Sequence, residues 1–115
     1  MKSDLIYLRH ILDAIAQIEA YVAGLSWKGF QESQLVQDAV IRQLGIIGEA
    51  ARRVTSSVQK DHGEIPWSDI VGMRNILIHD YFEVDEKEVW KTVQDDLPLL
   101  KGWVADVERE LRESS

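Results

Sequence analysis

The sequence contains no cysteine, which excludes a disulfide framework, a thiolate metal site and a cysteine nucleophile. Two prolines and seven glycines in 115 residues favour long regular elements over many turns. No stretch approaches the roughly 20 apolar residues of a membrane span, so no membrane association is expected. Charges interrupt the N-terminal segment, so we expect no signal peptide and a cytoplasmic location.

Positive charge is also scarce. Lysine and arginine number 13 against 20 aspartates and glutamates, and the formal net charge is −7. Non-specific nucleic-acid binding usually requires a basic surface, so no DNA partner is expected. An RNA substrate would have to meet a local basic patch or the surface of a partner protein.

Apolar residues recur at intervals of three and four, which predicts amphipathic helices. The pattern predicts a helix over residues 4–23, a second over 33–60 and a third over 69–80, with a connector at residues 25–31. A fourth helical stretch begins at residue 86, and Pro98 is expected to divide it into helices 86–95 and 97–112. The sequence therefore predicts an all-α, four- to five-helix bundle that forms a single domain over residues 1–115.

Several residues are candidates for helix boundaries. Ser3 and Ser68 are predicted N-caps, Gly24 a helix stop, and Asp85 a cap that resembles a capping box with Glu88. The long second helix contains Gly45 and Gly48, and small residues there could let another backbone approach closely.

Charged residues of the second helix leave two interpretations open. Glu49 could pair with an arginine such as Arg74 across the bundle, or it could face solvent. A basic stretch could touch RNA, but interleaved charges usually form only a solvated face. Its members are Arg42, Arg52, Arg53 and Lys60. The four tryptophans are expected to be core or interface anchors rather than platforms for base stacking. They are Trp27, Trp67, Trp90 and Trp103.

Residues 72–82, GMRNILIHDYF, stand out because polar side chains are interleaved with apolar ones. Polar groups on a mostly apolar helix must find partners or face a cleft. Asn75 and His79 share a helix face, whereas Arg74 and His79 differ by roughly 140° on an ideal helix. A helix end, a long arginine side chain or a second copy in a two-fold dimer could bring the pair together.

Arginine and histidine suit RNA cleavage by attack of the RNA's own 2′-hydroxyl, which needs no cofactor. A histidine titrates near neutrality and can transfer protons, and an arginine stabilises charge on the phosphate. Asn75 could orient His79 or donate to the phosphate. An Arg and a His five residues apart also arise by chance, however, and a structural role such as capping explains them equally simply.

The chain resembles the HepT family of HEPN proteins, the toxins of toxin–antitoxin pairs with a minimal nucleotidyltransferase. The resemblance extends from the first helix through Trp103. It is carried by residues 46–51 (IIGEAA), 65–67 (IPW), 72–82, 89–90 (VW) and 96–100 (DLPLL). The family motif Arg-x4-His-x-Tyr matches Arg74, His79 and Tyr81, with Asp80 where glycine is common.

This resemblance implies a metal-independent endoribonuclease that acts as a homodimer without a cofactor. Arg74 and His79 of both subunits would line a cleft at the interface, and Asn75 would support them. The partner would be a nucleotidyltransferase antitoxin that transfers AMP from ATP to Tyr81, adding charge and bulk beside the cleft. The alternative is a non-catalytic helical module in which these residues hold a dimer or dock the transferase. The acidic balance favours the module, and the intact motif favours the ribonuclease.

Overall fold

A computed structural model describes residues 2–73, 75 and 84–114, with the backbone alone at Lys2. The described helices are α1 (Lys2–Val22), α2 (Trp27–Gln31), α3 (Gln34–Arg53), α4 (Ser56–Asp61), α5 (Trp67–Val71), α6 (Glu86–Lys91) and α7 (Leu97–Glu113), with a π-helical turn at Thr92–Asp96. The predicted all-α class is confirmed. No helix in this part of the chain combines the length and apolar character that crossing a membrane requires.

The core lies where α1 packs along α3, with α7 against α1 and α5 against α3. The amphipathic pattern predicted for the first helix is confirmed along α1, where Leu8, Leu12, Ile15 and Ile18 are buried, while Leu5 and Val22 are only partly buried. In the last helical stretch, the apolar residues spaced three and four apart are buried except Leu111, which is partly buried. The buried ones are Val89, Val93, Leu97, Leu100, Val104 and Val107. Periodicity therefore identified the faces that form the core.

The prediction for α1 is wrong at its N-terminal end and confirmed at its C-terminal end. The helix already includes Lys2 and Ser3, so the prediction that Ser3 is the N-cap is wrong. At the other end, α1 stops at Val22 and Gly24 has a φ of 77°. Glycine adopts this left-handed conformation without a Cβ penalty, which confirms Gly24 as the stop.

The predicted helix over residues 33–60 is in fact two helices, α3 and α4. Val54 is extended, and the Thr55 side chain accepts a hydrogen bond from the Val58 amide as the cap of α4. The carboxylate of Asp4, 0% exposed, accepts from the Thr55 amide at 2.8 Å and from its hydroxyl at 3.0 Å. Hydrogen bonds to a charged group contribute roughly 1.5–3 kcal/mol, so this tertiary contact stabilises the break.

The predicted connector at residues 25–31 contains the short helix α2. Ser26 caps it by accepting from the Gly29 amide, and Ser33 caps α3 by accepting from the Val36 amide. The buried Gln37 amide donates to the Phe30 carbonyl at 2.9 Å, which joins α2 to α3. The connector is therefore ordered by local capping and one buried hydrogen bond.

The stretch from Glu86 to Glu113 was predicted to break near Pro98, and this prediction is wrong. The stretch continues as helix through the π turn Thr92–Asp96, in which the Leu97 amide donates to the Thr92 carbonyl five residues earlier. A proline cannot donate to the carbonyl four residues before it, and its ring crowds that group, here in Gln94. A wider turn around Gln94 accommodates the proline while the chain stays helical.

The third predicted helix starts two residues earlier than expected. α5 begins at Trp67, its N-cap is Pro66 without a side-chain hydrogen bond, and the prediction that Ser68 caps it is therefore wrong. The helix ends at Val71, where Gly72 has a φ of −86° and a ψ of 0°. The remainder of the predicted helix, apart from Met73 and Asn75, lies outside the described residues.

Candidate active site

The predicted site residues fall mostly outside the described part of the chain. Arg74, His79 and Tyr81 lie outside the described residues, and Asn75 lies within them. Asn75 is exposed, and its backbone amide donates to the Gly72 carbonyl at 3.0 Å. The geometry of the site is therefore that of the elements on either side of residues 74–83.

Helix α5 leads into the motif and is held firmly by the core. Trp67 is buried, and its indole N–H donates to the His62 carbonyl at 3.1 Å. Ile70, one turn later, is 3% exposed. Burying two large apolar side chains contributes roughly 3–6 kcal/mol, which holds α5 on the core. The prediction that Trp67 is a core anchor is confirmed.

Close packing of α3 on α5 depends on Gly48. A Cβ added at Gly48 would lie 2.9 Å from the carbonyl oxygen of Val71 and 3.4 Å from that of Ile70. Real Cβ atoms do not approach backbone oxygens so closely, so only glycine allows this contact without a shift. The prediction that a small residue in the second helix lets another backbone approach is confirmed at Gly48. The backbone that approaches it is that of Val71, three positions before Arg74 in the sequence.

Helix α6 receives the chain after the motif. Asp85 caps it by accepting from the Glu88 amide at 3.1 Å, as predicted, and Val89 is fully buried. Trp90 packs on Phe30 with ring centroids 5.1 Å apart, and on Trp27 at 6.4 Å. The described helices before and after the motif are thus both packed on the core.

Glu49 pairs with two arginines of its own helix. Its carboxylate accepts two hydrogen bonds from Arg52, at 2.6 and 3.1 Å, and lies 3.4 Å from Arg53. The hydrogen bond from Arg52 holds the pKa of Glu49 below its ordinary value of 4.5. This pairing is therefore complete above pH 4.5 and is lost as the pH falls through the lowered pKa. The expected partner Arg74 lies outside the described residues.

The same contacts bear on the basic stretch of the second predicted helix. Arg52 and Arg53 are both exposed, and they share one carboxylate, so much of their charge is already compensated. Surface pairs of this kind contribute little to stability. The geometry favours the interpretation of a solvated face over an RNA-binding patch at these two residues.

A cavity of about 450 Å³ lies between α5 and the stretch from α6 to α7. Its apolar wall is formed by Ile70, Met73, Leu99, Leu100 and Trp103, and Thr92 of the π turn also lines it. Three carboxylates, those of Asp69, Glu88 and Asp96, complete the lining. The sequence gives no sign of this site, because its lining residues are spread over 38 positions from Pro66 to Trp103 and share no motif.

These carboxylates do not form a metal centre. Across residues 2–73, 75 and 84–114, no group of three or more histidines and acidic residues has the arrangement needed to hold a metal ion.

Comparison with known proteins places the chain in a family. The family model described as "Ribonuclease HepT-like" matches residues 11–107, most of the chain. The chain belongs to the HepT-like ribonuclease family. The match spans both anchors of the site and the whole of the Arg-x4-His-x-Tyr motif, so this HepT-like chain carries the motif inside the matched region.

Individual relatives agree with this assignment. The chain is 44% identical over 96 residues to the probable ribonuclease HepT of Thermococcus cleftensis, covering 84% of this chain and 87% of that protein. It is 35% identical over 107 residues to a candidate RNase of Caldanaerobacter subterraneus, covering 93% and 96%. A Methanocaldococcus jannaschii protein, named a gamma-glutamylcyclotransferase and candidate RNase, is 40% identical over 112 residues, which span 96% of this chain but half of that protein. No solved structure matches the HepT-like chain significantly.

Proposed function

We propose that this HepT-like chain is a metal-independent endoribonuclease and the toxin of a toxin–antitoxin pair with a minimal nucleotidyltransferase. The observation that carries the proposal is the family match over residues 11–107, which contains the motif intact. The names of the relatives, which refer to RNases, support the same activity.

Arg74 and His79 are the proposed catalytic residues. His79 would take the proton from a ribose 2′-hydroxyl, whose oxygen then attacks the adjacent phosphorus. The bond from phosphorus to the 5′-oxygen of the next nucleotide would break, and the imidazolium of His79 would return the proton to that oxygen. Arg74 would donate hydrogen bonds to the phosphate oxygens as charge develops on them. Asn75, exposed at the start of the motif, would orient His79 or donate to the same phosphate. The products would be a 2′,3′-cyclic phosphate and a free 5′-hydroxyl.

A homodimer would complete this site. On a regular helix the two catalytic side chains would point about 140° apart, so one copy does not bring them together directly. An isologous interface presents every residue twice, and it would place Arg74 of one subunit near His79 of its partner. A cleft of this kind would also supply the local positive charge that a chain of net charge −7 otherwise lacks.

The alternative function is a non-catalytic helical module that docks a nucleotidyltransferase. The net charge of −7 and the compensated arginines on α3 favour it, because neither helps to hold RNA. The two functions differ in a single measurable property, RNA cleavage.

The decisive experiment compares the wild-type chain with Arg74→Ala and His79→Ala in cleavage of a long RNA in the presence of EDTA. We expect cleavage by the wild type to persist, and each variant to lose at least about a hundredfold, since proton transfer and charge stabilisation each contribute on that order. Arg109→Ala, which removes an exposed arginine on α7 outside the basic stretch, is the matched control and should retain activity. Cleavage that persists in both variants would overturn the catalytic assignment, and cleavage abolished by EDTA would overturn metal independence.

A further inference from the structure

The cavity beside α5 is lined by an apolar wall and by three carboxylates. Its wall is apolar, and Leu99 on that wall is 58% exposed, one of the three large apolar side chains most open to solvent in the described part of the chain. Asp69, Glu88 and Asp96 are exposed, and among the described residues they have no ion-pair partner. A cavity of 450 Å³ with a mainly apolar wall is within the range in which proteins bind ligands.

Negative charge also predominates along the helical stretch that borders the cavity. Residues 85–96 contain five carboxylates and only two lysines. Such a surface repels the phosphates of RNA and attracts cationic groups. The apolar wall, in turn, suits the side chain of a residue such as leucine rather than a small ion.

The π turn gives the cavity part of its lining. Thr92 and Asp96, the first and last residues of this turn, both line the cavity, and Thr92 is 6% exposed. π turns inside helices are energetically unfavourable and occur frequently at functional sites. Here Pro98 explains why the π turn is tolerated, and the turn forms part of the border of the cavity.

We propose that this cavity is a docking site for a protein partner, which inserts an apolar side chain from a segment rich in lysine or arginine. The carboxylates would bind the basic residues on either side, and Leu99, Leu100 and Trp103 would contact the apolar side chain. The inference rests on residues other than Arg74, His79 and Tyr81, and it does not depend on RNA cleavage. Because Met73 lines the cavity and immediately precedes Arg74, a bound partner would lie next to the start of the motif.

The test uses an acetylated and amidated peptide, Lys-Lys-Leu-Leu-Lys-Lys, whose binding is measured by calorimetry and by the NMR shift of the Trp103 indole N–H. Two control peptides replace the leucines by serines or the lysines by glutamates. We expect the first peptide alone to bind and to shift the Trp103 signal. Asp69→Asn with Asp96→Asn should weaken binding at least about fivefold, since each exposed ion pair contributes a fraction of a kcal/mol. Leu99→Ala should weaken it about threefold by removing apolar contact.

The matched control removes the same charge elsewhere. Glu32→Gln with Asp38→Asn changes two exposed carboxylates outside the cavity and should leave the affinity within twofold. Equal losses in both double variants would mean that only net charge is sensed, which overturns the proposal. So would an unshifted Trp103 signal, displacement of the peptide by a short RNA, or self-association of the wild type that the Asp69 and Asp96 changes abolish. None of these readouts involves cleavage, so they are independent of the proposed ribonuclease function.

Discussion

Tyr81 is the residue at which the proposed pairing with a nucleotidyltransferase can be examined directly. Incubation of the chain with its cognate transferase and ATP should add mass in steps of one AMP, and Tyr81→Phe should abolish the addition because the accepting hydroxyl is gone. Intact-mass spectrometry measures both results. AMP next to the proposed cleft adds negative charge and bulk, so the modified chain should cleave RNA more slowly.

The other two tyrosines provide controls for this experiment. The Tyr21 hydroxyl lies 3.5 Å from the Gln43 amide, and Tyr7 packs edge-on against His10. Tyr21→Phe should still be labelled fully. Labelling that persists in Tyr81→Phe and is lost in Tyr21→Phe would transfer the modification to α1 and remove Tyr81 from the proposal.

At the scale of elements, the contact between α3 and α5 positions the helix that precedes the motif. Gly48→Ala should lower the free energy of unfolding by about 1–3 kcal/mol, because its Cβ would be forced to 2.9 Å from the Val71 carbonyl oxygen. The gain in helix propensity, about 1 kcal/mol, is expected to offset only part of this cost. Urea denaturation measures the change, and RNA cleavage should fall as α5 shifts.

Gly102 in α7 is the matched position for this substitution. It is exposed, and a Cβ added there would meet nothing within 4 Å. Gly102→Ala should therefore stabilise the chain by up to about 1 kcal/mol through helix propensity alone. If Gly48→Ala were as stabilising as Gly102→Ala, the backbone contact would have no energetic importance.

Two element boundaries illustrate why helix ends were harder to predict than helix faces. The apolar period continues through Val54 and Val58, so the break at Thr55 was missed. Thr55 followed by two serines was a local sign of a cap, but the break also involves Asp4, 51 residues away in the sequence. Pro98 indicated a disturbance correctly, although a π turn replaced the expected break.

For the whole molecule, the proposed dimer makes a prediction about mixed subunits. Sedimentation should give twice the mass of the 13.2 kDa chain. Arg74→Ala and His79→Ala chains, each inactive alone, should recover about a quarter of wild-type cleavage when refolded together, since half of the dimers are mixed and each retains one Arg–His pair across the interface.

This recovery distinguishes two ways of building the cleft. If Arg74 acts with His79 of its own subunit, no mixed dimer contains a complete pair, and the mixture stays inactive. The control is a mixture of Arg74→Ala with the double variant, which carries both Arg74→Ala and His79→Ala. No chain in this mixture has Arg74, so no dimer can contain an Arg–His pair, and cleavage should not recover. A monomer by sedimentation would contradict the dimer itself.

The site was predictable only in part. Arg74, Asn75, His79 and Tyr81 are the predicted site residues, because they lie in one short segment whose spacing matches the motif of the family. The cavity was not found, because Asp69, Thr92 and Trp103 come from three elements and become neighbours only after packing. For Glu49 the sequence left open pairing across the bundle or exposure to solvent, and the structure shows an exposed Glu49 that pairs with Arg52 and Arg53 of its own helix.

The sequence by itself determined the helical class, the buried faces of α1 and α7, and the cap at Asp85, because these depend on interactions within a few residues of the chain. Only the tertiary structure decided that the buried Asp4 carboxylate accepts hydrogen bonds from Thr55, and that the Val71 carbonyl oxygen packs against Gly48. It also decided that a cavity lined by carboxylates lies next to the start of the motif. Each of these requires two or more distant segments to meet. Their free energy comes from desolvation and close contact, which no local pattern of residues records.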